Sequence, residues 1–103
     1  MRAAETKFLA EWETFKRESE QAIAANERLI DAFKEKIARS GPVHKAMYNR
    51  GATALELRNQ NLMIRLAEYE EGGQSNLKEF KITFNKRLDD VEKTMKDLFA
   101  NVD

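Results

Sequence analysis

Over 103 residues the helical spacing of the chain is interrupted in only two places, Ser40-Gly41-Pro42 and Gly72-Gly73. The first is a definite stop. Gly suits the left-handed residue that follows a helix, and Pro suits the first position of the next. Lys34, Lys36 and Arg39 occupy the preceding turns, where cations favour a helix C-terminus. The second interruption reads two ways. A glycine pair costs about 2 kcal/mol inside a helix relative to alanine, and Ser75 can cap a following helix, which favours a turn. Against this, Glu68, Glu70 and Glu71 would crowd the negative end of a helix stopping at Gly72. The apolar phase also crosses the glycines: Leu55, Leu66, Leu77, Leu88 and Phe99 recur at eleven-residue spacing, as do Tyr69, Phe80, Val91 and Val102. Such a repeat corresponds to about 3.67 residues per turn and a nearly straight bundle. The joint at 72–75 is therefore either a turn or a bend within one long helix.

Each segment carries an apolar stripe at spacings of three and four. In the first helix, about 3–39, the stripe comprises Phe8, Trp12, Phe15, Ala22, Ile23, Leu29, Ile30, Phe33 and Ile37. Ser19 and Asn26 interrupt it, and are expected at its edge in contact with water rather than inside the seam as register-setting polar residues. The last helix, about 76–102, is also single-striped, through Leu77, Phe80, Phe84, Leu88, Val91, Met95, Leu98, Phe99 and Val102. Polar faces carry i,i+4 ladders such as Lys16–Glu20, Glu35–Arg39 and Glu92–Lys96, worth a few tenths of a kcal/mol each. No strand pattern survives. The expected fold is one all-α domain, an antiparallel helical hairpin or three-helix bundle with coiled-coil-like packing.

The middle helix, about 43–71, differs. Beside a main stripe of Tyr48, Leu55, Leu62, Leu66 and Tyr69 it carries a second group, Val43, Ala54, Leu57 and Ile64, with Asn61 beside it. A helix with two apolar faces must cover both. The second face needs either the third helix or another subunit, so Val43, Ala54, Leu57, Asn61 and Ile64 are the candidate protein interface.

Composition removes most other functions. There are 18 Lys+Arg and 18 Asp+Glu, distributed as eight of each in residues 1–40, four in 41–71 and six in 72–103. No segment holds the basic surplus that phosphate neutralisation requires, so no nucleic-acid partner is expected. Absence of Cys removes disulfides, thiolate metal sites and thiol catalysis. His44 is the only imidazole, Gly41 stands where a Glu-x-x-His metal motif needs its Glu, and Gly72-Gly73 lacks the residues of a phosphate loop. Glu68, Glu70 and Glu71 read as a solvated acidic stretch. No catalytic residue, metal or cofactor is expected. No apolar run approaches the roughly 20 residues of a membrane span and no signal-peptide core is visible, from which a cytoplasmic location is expected.

The run Gly73-Gln74-Ser75-Asn76-Leu77-Lys78-Glu79-Phe80-Lys81, with Leu88-Asp89-Asp90-Val91 and Asp97-Leu98-Phe99, resembles small bacterial stress-associated coiled-coil proteins. That resemblance covers about half the chain and implies a non-enzymatic, bacterial, helical-hairpin protein; it supplies no binding residues. The functional expectation is a self-associating helical module, most simply a two-fold dimer, or one that binds another protein. A lipid-surface protein is the alternative, because eleven-residue amphipathic periodicity also suits helices lying in a membrane interface.

Overall fold

The computed structural model describes the backbone of residues 2–72 and 76–101 and the side chains of 9–41, 45–72 and 76–100. Three helices account for it: α1 (Arg2–Ala38), α2 (Pro42–Glu71) and α3 (Leu77–Asn101). All three pack on one another. The result is a three-helix bundle with principal extents of 61 × 18 × 17 Å. Its length is set by α1, since 37 residues at 1.5 Å each reach about 55 Å.

The first corner forms where the sequence breaks, but not by the expected backbone device. Gly41 has φ −65° and ψ 157°, an extended conformation, not a left-handed one. Pro42 explains this, because its ring pushes the preceding residue into the extended region. The end of α1 is closed by Ser40, whose N–H and hydroxyl both donate to the carbonyl of Ile37 at 3.0 and 2.7 Å.

The second corner is a turn. Tyr69 and Phe80 stack across it with ring centroids 4.0 Å apart, which requires α3 to run back along α2. The eleven-residue spacing between these two residues therefore records pairing across a hairpin, and the same apolar phase continues because each helix faces one shared core. α2 ends with the Gly72 N–H donating to the carbonyl of Glu68 at 2.8 Å. Asn76 enters α3 at φ 55°, the left-handed region that asparagine tolerates better than most residues. Ser75, the expected cap, lies outside the described residues.

Aromatic side chains concentrate at the two ends of the bundle. At one, Trp12 of α1 meets Tyr69 of α2 and Phe80 of α3 at centroid distances of 5.3 and 6.5 Å, with Phe15 and Phe84 beside them. At the other, Phe33 of α1 lies 6.2 Å from Tyr48 of α2 and 6.0 Å from Phe99 of α3. Between these ends the core includes polar side chains: Ser19, Asn26 and Asn59 are all buried. This corrects the expectation that Ser19 and Asn26 sit at an edge in water. With two helices packed on α1, its buried arc is wide enough to enclose them. Asn59 of α2 donates through Nδ2 to the carbonyl of Ile23 on α1 at 3.0 Å.

Candidate functional site

The two faces of α2 have different fates. Ala52, Leu55, Leu62 and Leu66 are buried, and Tyr48 and Tyr69 pack partly against the core. On the other side, Leu57 is 57% exposed and Ile64 53% exposed. Ala54 and Asn61 are exposed beside them, so four of the five candidate interface residues form one continuous open stripe. The side chain of Val43 lies outside the described residues. Neither α1 nor α3 covers the stripe, because both pack on the face that holds Leu55 and Leu62.

The open stripe is longer than the sequence reading drew it. Met47 (54% exposed), Arg50, Ala54, Leu57, Asn61, Ile64 and Glu68 follow one another at alternating spacings of three and four and are all exposed. That is the spacing of a coiled-coil seam. The 3,4 alternation was available to find Met47, Arg50 and Glu68; a search for apolar residues alone passes over the charged members.

Alongside, α2 and α3 bound an open groove of about 990 Å³ whose floor includes Leu62, Phe80 and Val91. Arg58, Arg65 and Arg87 line it together with Glu68 and Asp90. Among the described residues, ion pairs within 4 Å form only between Lys16 and Glu70, Lys34 and Glu56, and Lys96 and Glu92. The three groove arginines are therefore available to carboxylates, which a guanidinium can bind through two parallel hydrogen bonds. Most of the expected i,i+4 ladders are not closed either; of those named, the Glu92–Lys96 pair is, at 2.9 Å.

One acidic residue departs from the expected solvated stretch. Glu70 accepts from Trp12 Nε1 at 2.7 Å and from Lys16 Nζ at 3.1 Å, tying the end of α2 to α1. These hydrogen bonds hold its carboxyl below the usual range, the Trp12 indole contributing most and Lys16 next. The Lys16 ammonium is raised in return, chiefly by its hydrogen bond to Glu70. The pair is about one-third exposed, so solvent screens it, and its geometry is that of a latch. It also explains how a helix can end on Glu70 and Glu71: a cation and an indole N–H from α1 meet one of the carboxylates that the helix dipole disfavours. Tyr69 is raised by burial.

Among the described residues, no group of three or more His, Asp or Glu side chains is arranged to hold a metal ion. None of the described helices is long and apolar enough to cross a membrane. What the surface offers is a periodically spaced, largely apolar stripe that also carries Arg50 and Glu68, with an arginine-lined groove at its flank. Comparisons with family models, curated proteins and solved structures find no match to this chain.

Proposed function

We propose that the protein is a non-enzymatic helical module that associates with itself through the open face of α2, forming a closed two-fold dimer. The observation that carries this reading is the exposure of Leu57 and Ile64 at coiled-coil spacing, on a helix whose opposite face is already committed to the core. Large aliphatic side chains repeated on one line of a helix are the usual means by which helices recognise helices. Covering a half-exposed Leu or Ile contributes about 1 kcal/mol. Met47, Leu57 and Ile64 from each of two copies together contribute about 6 kcal/mol; a micromolar dimer needs about 8 kcal/mol net of the cost of association, so the other contacts along the seam must add to them.

The resemblance over the C-terminal half implies a stress-associated setting for such a module, and a second protein presenting a similar stripe is an alternative occupant. Insertion into a lipid surface has less support: Trp12, Phe15 and Phe84, the large aromatic residues of the amphipathic faces, are buried. The test is solution molar mass by sedimentation or light scattering over a micromolar concentration series. Wild-type protein is expected to dimerise, and the Leu57→Ser/Ile64→Ser variant to stay monomeric with unchanged helicity. A wild-type monomer at the highest concentrations, or flotation of the wild type with liposomes, overturns the reading.

A further inference from the structure

Resting on that reading, we infer that the occupant of the α2 stripe is the α2 stripe of a second copy in antiparallel orientation, with its register set by Arg50 and Glu68. Both residues are exposed, both lie on the seam line, and they bracket its apolar middle. They are 18 positions apart, about 27 Å along the helix. In an antiparallel seam, residues of one series face residues of the other at a constant sum of residue numbers. When Arg50 faces Glu68 of the second copy, Ala54 faces Ile64, Leu57 faces Asn61 and Met47 faces Glu71. The two-fold axis crosses the open face of α2 midway between Leu57 and Asn61, and the Arg50–Glu68 contact occurs twice.

Neighbouring arrangements lose this match. Sliding by one heptad in one direction sets Glu68 against Leu57; sliding in the other pairs Met47 with Ile64 and Leu57 with Ala54 but sets Arg50 against Asn61 and leaves Glu68 without a cation, so it is the charge pair that selects between these registers. A parallel in-register pair places Arg50 against Arg50 and Glu68 against Glu68, and aligns the two helix dipoles unfavourably. The antiparallel register does bring Arg58 near Arg58 of the second copy. Asp90 lines the same groove as Arg58. Charges at the ends of an apolar seam select partner orientation in this way, while the apolar residues supply most of the affinity.

The test is charge reversal, read as dimer dissociation constant by sedimentation. Arg50→Glu replaces two attractive contacts with two repulsive ones, and Glu68→Arg does the same. Each single variant is expected to dissociate on the order of 30-fold more readily than wild type. The double variant Arg50→Glu/Glu68→Arg restores both contacts and is expected to dimerise as wild type, as is an equimolar mixture of the two single variants. All of these positions are exposed, so helicity should not change. If either single variant dimerises like wild type, or the double variant fails to recover, the register is wrong. Should Leu57→Ser/Ile64→Ser still abolish the dimer in that case, the α2 surface stands and only the orientation falls. A wild-type monomer removes both.

Discussion

Phe33 is the point at one end of the bundle where all three helices meet, and its truncation is the sharpest test of how the fold is held. The side chain is fully buried, with the rings of Tyr48 on α2 and Phe99 on α3 at 6.2 and 6.0 Å. Phe33→Ala removes about 2–3 kcal/mol of transfer free energy. It also deletes two aromatic contacts worth roughly 0.5–1.5 kcal/mol each. Neighbouring side chains recover part of this by collapsing into the space, and buried Phe→Ala changes cost about 3–5 kcal/mol in practice. A domain of this size is stable by about 5–15 kcal/mol, so the variant should remain folded only marginally. At about 4–8 °C per kcal/mol, its melting temperature is expected to fall by roughly 12–40 °C. Thermal and denaturant melts followed by far-ultraviolet circular dichroism measure it. Ile82→Ala supplies the comparison: Ile82 is 62% exposed, so the change should stay within about 0.5 kcal/mol. If Phe33→Ala costs less than about 1 kcal/mol, or Ile82→Ala costs as much as Phe33→Ala, the assignment of core and surface is wrong.

Three other perturbations test separate features. Asn59→Ala removes the hydrogen bond to the Ile23 carbonyl and should cost about 1–2 kcal/mol in a urea melt. The Asn26→Leu/Asn59→Leu pair, which removes the buried and unpartnered Nδ2 of Asn26 and Oδ1 of Asn59 together, should melt at or above the wild-type temperature. Gly51→Ala should stabilise by about 0.5–1 kcal/mol, because helix propensity favours alanine and the new methyl meets only the end of the Leu98 side chain at 3.3 Å. The Glu70 carboxyl titrates lower in the folded state than in the unfolded chain. Its contribution is therefore complete above its ordinary value of about 4.5 and is lost as pH falls through the folded value. Glu70→Gln should flatten that part of the acid limb in a pH series of melts, and an unchanged limb would show that the Trp12–Lys16–Glu70 latch is not formed.

The all-α class and the long stripes of α1 and α3 were legible because spacing of three and four over 25 or more residues has few other readings. The face of Leu57 and Ile64 was legible for the same reason. Ala52 and Asn59 both belong to the main stripe of α2, but one is small and the other polar, so neither marks a core position by type; the sequence places Asn59, with Gln60 and Asn61, between the two faces, and the structure buries it. What brings Asn59 inside is the Ile23 carbonyl, 36 positions away. Glu70 shows the same limit more plainly. In the chain it stands among acidic neighbours, and its partners Trp12 and Lys16 are separated from it by 58 and 54 positions. Tyr69 and Phe80 show the reverse case, where the spacing was visible but compatible with both a continuous helix and a hairpin, and only their stacking distinguishes the two.

The band of Ser19, Asn26 and Asn59 between the aromatic ends has a consequence for how the helices can slip. A bundle lined with leucine alone presents nearly the same surface after each turn, and one helix can shift past another by about 5.4 Å with little penalty. Here such a shift would pull the Asn59 amide off its carbonyl and drag it among aliphatic side chains, while unseating the rings at both extremities. The polar waist works as a notch along the long axis, admitting one alignment of the three rods and rejecting those a turn away.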